Sequence, residues 1–169
     1  SSGTTGLPKP IVHSQGGIVV EHVKMGAFHL DLGPEDRFHW FSSSGWIMWN
    51  CQVAGLLMGS TVCIYDGNPG WPDWNALWRF VGEARVTFFG AGAAFFLSCL
   101  KAHVEPNAVA DLSALRAVGS TGSPLPPEGY QWIYDHVRPD LWINAISGGT
   151  DFAGCFVGGV PTLPVYLGE

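Results

Sequence analysis

The sequence predicts an α/β fold: a layered, mostly parallel sheet with flanking helices. Two observations carry the prediction. Short β-prone apolar runs alternate along the chain with stretches whose apolar residues recur at helical spacing. Such alternation is the pattern of parallel sheets, whose strands are joined by helical crossovers. Composition adds that the 169 residues are one domain's length, enough to bury a sizeable core.

The elements follow in order. Ile11-Val12 is β-prone and leads into a helix from about Gly17 to His29. Arg37 to Phe41 is strand-like, and Trp46 to Leu57 reads as an apolar helix. Thr61 to Tyr65 reads as a buried strand, closed by the turn Asp66-Gly-Asn-Pro-Gly70. The next helix begins near Asp73 and puts Trp74, Leu77, Trp78 and Val81 on one face. Val86 to Phe89 is a strand, Ala93 to Lys101 a helix, and Leu115 to Val118 a strand. Pro126-Pro127-Glu128 starts a helix whose Tyr130, Ile133, Tyr134 and Val137 share a core face. Trp142 to Ile146 is the last clear strand.

Hydrophobic residues make up 47% of the chain and charged residues 13%, against about a quarter charged in an average domain. The chain therefore reads as an internal piece of a larger protein, hiding surface against the rest of its parent chain. Eight Lys and Arg against fourteen Asp and Glu give a net charge of −6. No basic stripe is present, which argues against a nucleic-acid partner. The most apolar stretch, Val53 to Tyr65, is broken by Gly55, Gly59 and Ser60 and is too short to span a bilayer. Cys51, Cys63, Cys99 and Cys155 lack paired spacing and sit in apolar company. They read as buried free thiols of a cytoplasmic protein.

Three turn clusters carry the chemistry. Ser1-Ser-Gly-Thr-Thr-Gly-Leu-Pro-Lys-Pro10 gathers hydroxyls, glycines and one lysine, the makings of a phosphate cradle. It is not the Walker type, which needs Gly-Lys-Ser/Thr opening a helix. Gly119-Ser-Thr-Gly-Ser-Pro124 and Ile146-Ser-Gly-Gly-Thr-Asp151 each follow a strand, and ligands of open parallel sheets gather outside the strands' carboxyl ends. In the latter, Asp151 can hold a hard cation such as Mg²⁺ through oxygen. Gly45-Trp-Ile-Met-Trp49 opens a helix with an apolar stripe that reads equally as core. Gly90-Ala-Gly-Ala-Ala-Phe95 half-resembles a dinucleotide fingerprint, but the third glycine and the following acidic residue are missing. Its glycines read instead as room for packing Phe88, Phe89 and Phe95.

The opening string resembles the signature loop of the adenylate-forming enzymes, the acyl-CoA synthetase and luciferase superfamily. It matches that loop at Ser2, Gly3, Thr4, Thr5, Gly6, Pro8 and Lys9, and departs from it at Ser1 and Pro10. The resemblance implies that residues 1–169 are the central part of the AMP-binding domain, with the small C-terminal domain absent. It implies an acid–thiol ligase using ATP, Mg²⁺ and CoA. Ser2, Gly3, Thr4, Thr5, Gly6 and Lys9 would then hold the ATP phosphates, and Thr150 the α-phosphate. Asp151 takes the place of the motif's glutamate and would bind the magnesium. Lys9, Thr150 and Asp151 would be the catalytic set. Gly122, Ser123 and Pro124, with Ser147, Gly148 and Gly149, would line adenine. Trp46, Ile47, Met48, Thr121 and Gly148 would wall the acyl and CoA pocket.

Within the superfamily, Gly148 stands where the acetate-activating branch has a pocket-closing tryptophan, and Thr121 where it has valine. A wider and more polar pocket fits a short 3-oxo acid, and the strings around the motifs resemble the acetoacetate-activating branch. Acetate, propionate or butyrate as substrate, or a non-catalytic nucleotide-binding role, remain alternatives. The family's ribose-binding aspartate and adenylation lysine lie beyond Glu169 by this resemblance, so residues 1–169 alone are expected to be inactive.

Overall fold

The computed structural model describes residues 10–166. Five strands, β1 (Arg37–Trp40), β2 (Thr61–Val62), β3 (Phe88–Gly92), β4 (Ala117–Thr121) and β5 (Trp142–Ala145), form a parallel sheet in the order β2-β1-β3-β4-β5. A two-stranded antiparallel hairpin follows, β6 (Ser147–Gly149) with β7 (Gly154–Val157). The helices are α1 (Gln15–Lys24), α2 (Ile47–Ala54), α3 (Ala76–Glu83), α4 (Ala93–Lys101), α5 (Pro106–Val109) and α6 (Pro127–His136). The order reverses beside β1, as in doubly wound sheets.

Strand periodicity assigns side chains to two faces. Phe89, Val118 and Ile143 point to one, where α3, α4 and α6 bring Leu77, Trp78, Val81, Phe96, Trp132 and Ile133 into the larger core cluster. Phe38, Trp40, Phe88 and Ala117 point to the other and meet Met25, Leu30, Met48 and Cys51 from the α1 and α2 side. That second layer keeps apolar surface open: Val20 is 70% exposed, Phe28 69% and Phe156 69%.

Local chemistry explains the element ends. Ser14 caps α1, its Oγ accepting from the Gly17 amide at 3.1 Å. The helix then widens into a π turn, Met25–His29. The expected helix from Trp46 to Leu57 is α2 continued by a 3₁₀ turn, Gly55–Met58, which stops at Gly59 in the left-handed region (φ 77°). Pro127 opens α6 at a position where a missing N–H costs nothing.

Several expectations are corrected. Residues 10–14 are irregular and exposed, so Ile11-Val12 is not a strand. The expected buried strand Thr61–Tyr65 is only Thr61–Val62, an edge strand whose last link to β1 is the Cys63 amide donating to the Phe38 carbonyl at 2.8 Å. The helix after Asp73 starts later, at Ala76, behind a turn in which the Asp73 carboxylate accepts from the Asn75 amide. β3 and β4 run beyond the predicted ends, through Gly92 and Thr121. Glycines usually weaken a strand. Here a Cβ at Gly90 or Gly119 would overlap the indole of Trp40, which fills the space instead. Gly90, expected to make room for Phe88, Phe89 and Phe95, thus admits Trp40, and Gly119 admits Trp40 together with Phe88. α5 and the β6–β7 hairpin have no counterpart in the sequence prediction.

At the amino-terminal edge of the sheet Asp36 ties three strands together. Arg116 Nε donates to its Oδ1 and Nη2 to its Oδ2, both at 2.9 Å, and Thr87 Oγ1 donates to Oδ1 at 2.6 Å. Burial opposes the charge of Asp36, but the bonds from Arg116, Thr87 and the Gly33 amide, with the nearby guanidinium charge, hold its carboxyl below the usual range. Cys51, Cys63 and Cys99 are buried and Cys155 is half-buried, all as free thiols. Burial pushes Cys51 up to about 12 and Cys99 to about 11, so neither is a nucleophile. No helix among the described residues is long and apolar enough to cross a membrane.

Candidate functional site

Because the sheet is parallel, the carboxyl ends of its strands lie along one edge, and the predicted motifs that fall among the described residues follow β1, β4 and β5 there. β4 and β5 are hydrogen-bonded neighbours, with Ser120 opposite Ala145. Thr121 and the turn Gly122-Ser123-Pro124 therefore adjoin Ile146 and the segment that follows it. Gly122 takes a left-handed φ of 88°, which lets the chain turn off β4 without strain. Ser123 and Pro124 are exposed beside it. The Ile146 amide donates to the Ser120 carbonyl at 2.8 Å, and Thr121 Oγ1 donates to the Ile146 carbonyl at 2.9 Å. The Thr121 proton is thus committed to the backbone, and recognition of a ketone by this hydroxyl would require that bond to be exchanged.

Beyond Ile146 the chain enters the hairpin. Gly148 opposes Cys155, Gly149 opposes Gly154, and the register slips between Ser147 and Gly148. A Cβ at Gly148 would overlap the Gly154 carbonyl oxygen. Glycine at this position is therefore demanded by the approach of the two strands, a reason separate from pocket width. The hairpin presents Thr150 and Asp151 at its tip. Thr150 is half-buried, Asp151 is exposed, and Ala153 closes the tip in the left-handed region (φ 56°).

On the α2 side, Trp46 sits at the helix N-cap and is 58% exposed, while Ile47 is half-buried. Met48 is 7% exposed and belongs to the core around Trp40 and Phe88, so only Trp46 and Ile47 offer surface to a ligand. The end of β1, from which the Phe41–Gly45 loop departs, is held by a residue absent from the sequence prediction. Edge strand β2 is too short to reach Trp40, and the side-chain carbonyl of buried Gln52 accepts from the Trp40 amide at 2.6 Å in its place. A lone glutamine inside an apolar helix was the available signal.

Ser2, Gly3, Thr4, Thr5, Gly6 and Lys9 lie outside the described residues. So does the expected convergence of Lys9 with Asp151. Among the described residues no group of three or more His, Cys, Asp or Glu side chains could hold a metal ion. A single exposed carboxylate at Asp151 nevertheless fits Mg²⁺, which keeps most of its shell as water and substrate phosphate and takes one or two protein carboxylates. A groove of about 370 Å³ lies elsewhere, between Leu100–Glu105 and α6, and contains none of the motif residues.

The family model described as AMP-binding enzyme matches residues 1–157. The chain is 46% identical over all 169 residues to the acetoacetyl-coenzyme A synthetase of Rhizobium meliloti (strain 1021), covering 26% of that protein. It is 38% identical over its whole length to the acetoacetyl-CoA synthetase of Gallus gallus, covering 25% of it. The solved acetoacetyl-CoA synthetase from Streptomyces lividans superposes with a TM-score of 0.93 at 55% identity, over all of this chain and 27% of that one. The chain thus spans about a quarter of the length of these relatives.

Proposed function

The chain belongs to the AMP-binding enzyme family, and from that premise we propose that the protein carrying it is an acetoacetate–CoA ligase. The carboxylate of acetoacetate attacks the α-phosphorus of ATP, giving acyl-adenylate and pyrophosphate, and the CoA thiol then displaces AMP. The observation that carries the reading is the 46% identity to a curated acetoacetyl-coenzyme A synthetase across every residue of the chain. The 55% identity to the Streptomyces lividans enzyme supports it independently.

In this reading residues 1–169 form the central part of the AMP-binding domain. The protein's contribution is positioning and charge neutralisation, since the phosphoryl centre needs little covalent help. Thr4, Thr5 and Lys9 hold the β- and γ-phosphates, with Ser2, Gly3 and Gly6 keeping the backbone close. Gly122, Ser123 and Pro124 flank adenine on one side and Ser147, Gly148 and Gly149 on the other, a juxtaposition consistent with the pairing of β4 and β5. Thr150 orients the α-phosphate, and Asp151 holds Mg²⁺. When bound, the cation would supply charge that neutralises the phosphates. Trp46 and Ile47 line the route of the acyl group and CoA.

The test is substrate preference of the full-length protein. With ATP and CoA, kcat/KM for acetoacetate is expected to exceed that for acetate, propionate and butyrate. A missing ketone oxygen or a one-carbon change is worth about 10-fold or more in such a pocket. Faster ligation of butyrate or propionate than of acetoacetate would overturn the substrate assignment. Failure to form any acyl-adenylate would overturn the activity.

A further inference from the structure

Resting on that reading, we propose that His29 and Asn144 are positioning residues for nucleotide binding, a latch at the base of the hairpin that carries Thr150 and Asp151. The hairpin has two legs. The incoming leg is fixed to the sheet at Ile146 by Ser120 and Thr121. The outgoing leg, Gly158–Gly159, pairs with no strand among the described residues. His29, the last residue of the π turn, reaches it: Nδ1–H donates to the Gly159 carbonyl at 3.0 Å. Asn144 of β5 in turn donates from Nδ2 to the His29 carbonyl at 2.6 Å. Sheet, π turn and outgoing leg are thereby joined in one chain of hydrogen bonds.

Packing tightens the same joint. A Cβ at Gly158 would stand 3.0 Å from Cys155 Sγ and 3.2 Å from the His29 ring, and one at Gly159 would overlap the Asn144 side chain. Higher on the hairpin, the Glu21 carboxylate leaves no room for a Cβ at Gly154, and Lys24 pairs with Glu21 at 2.6 Å. The widened turn at the end of α1 is what brings His29 round to the outgoing leg, and π turns recur at functional sites.

Asn144 supplies the second, independent sign. It is 1% exposed, and its Oδ1 finds no hydrogen-bond partner among the described residues. A buried amide left half-satisfied is costly, so fold stability alone would favour an apolar residue between Ile143 and Ile146. What the asparagine secures instead is the position of His29. With the outgoing leg released, the hairpin pivots about Ile146, and its tip, with Thr150 and Asp151, travels furthest.

The experiment uses the full-length protein and compares wild type with His29→Phe and His29→Asn. Asparagine keeps an N–H near the position of Nδ1, and phenylalanine does not. MgATP affinity is measured by calorimetry, KM for CoA by turnover, and folding by thermal denaturation. His29→Phe is expected to weaken MgATP binding about 10-fold, the usual effect of losing a second layer around a metal or phosphate ligand. His29→Asn should recover most of it, with the KM for CoA unchanged in both. Wild-type MgATP affinity in folded His29→Phe would overturn the latch. So would equal loss of MgATP and CoA affinity in step with melting temperature, because that is merely a structural role. If His29→Phe does not fold, Gly158→Ala, which pushes the imidazole by a few tenths of an ångström, must lower MgATP affinity or the latch falls. A wild-type protein that binds no MgATP would break the ligase reading itself, whereas unaltered variants break only the latch.

Discussion

The two faces of the sheet are built to different standards of closure. On one, α3, α4 and α6 cover the strands with a continuous aromatic core: Trp78 meets Phe89 at 5.1 Å between ring centroids, Phe95 at 5.9 Å and Trp132 at 6.1 Å. On the other, α1, α2 and the hairpin lay down a smaller cluster around Trp40, leave Val20, Phe28 and Phe156 exposed, and carry Trp46, Thr150 and Asp151. The closed face supplies the burial that holds the sheet. The open face buries polar anchors such as Gln52 and Asn144, which fix loops more than they add stability. The more closed core and the proposed site thus lie on different sides of a single sheet.

The largest effect that would break this division is expected at Trp78, which is fully buried. Trp78→Ala should lower unfolding free energy by about 3–5 kcal/mol. In protein that still folds at low temperature, MgATP affinity should stay near wild type. A selective loss of nucleotide affinity would show that the faces are coupled.

The next effect is acid sensitivity. His39 lies on the closed face between Phe80 and Phe89, with Nδ1–H donating to the Cys63 carbonyl at 2.8 Å. Burial pulls its pKa from 6.5 to about 4. The folded state therefore keeps the ring neutral while the unfolded chain takes up a proton below pH 6.5. Stability falls as pH drops from 6.5 toward 4 and then levels off, by about 3 kcal/mol in all. His39→Asn, which retains a donor and does not titrate, should flatten the denaturation profile across that window. An unchanged slope would move the acid lability to another group.

The smallest effect sits at the site. Thr121→Val removes the bond to the Ile146 carbonyl and should cost about 1 kcal/mol of stability. Because that proton is already committed, the preference for acetoacetate over butyrate should not change. A collapse of the preference would mean that the hydroxyl changes partner when substrate binds.

Much of the fold was legible from residues alone. The helical spacing of Trp74, Leu77, Trp78 and Val81 and of Tyr130, Ile133, Tyr134 and Val137 picked out the core-facing sides of these helices: six are buried, and Trp74 and Tyr134 are half-buried against the same cluster. The motif turns after β4 and β5 were legible for the same local reason: glycine and hydroxyl residues directly behind an apolar run mark a strand's carboxyl end. Strand limits at Gly92 and Thr121 were not, because glycine propensity argues locally for a break and only Trp40, arriving from β1, reverses it. Gly148 shows the same limit. From sequence it read as pocket space, and only the hairpin adds a second demand for glycine there, room for the Gly154 carbonyl.

Sequence by itself determined the alternation of strands and helices, the α/β class and the chemistry of the turns, since each depends on residues within a few positions of one another. Tertiary structure alone decided which of those turns are neighbours, how far the strands run and what holds the tip that bears Asp151. Those depend on contacts between residues as distant as His29 and Gly159. Such pairs leave no local pattern, because the energy that selects them exists only once the sheet has brought them together.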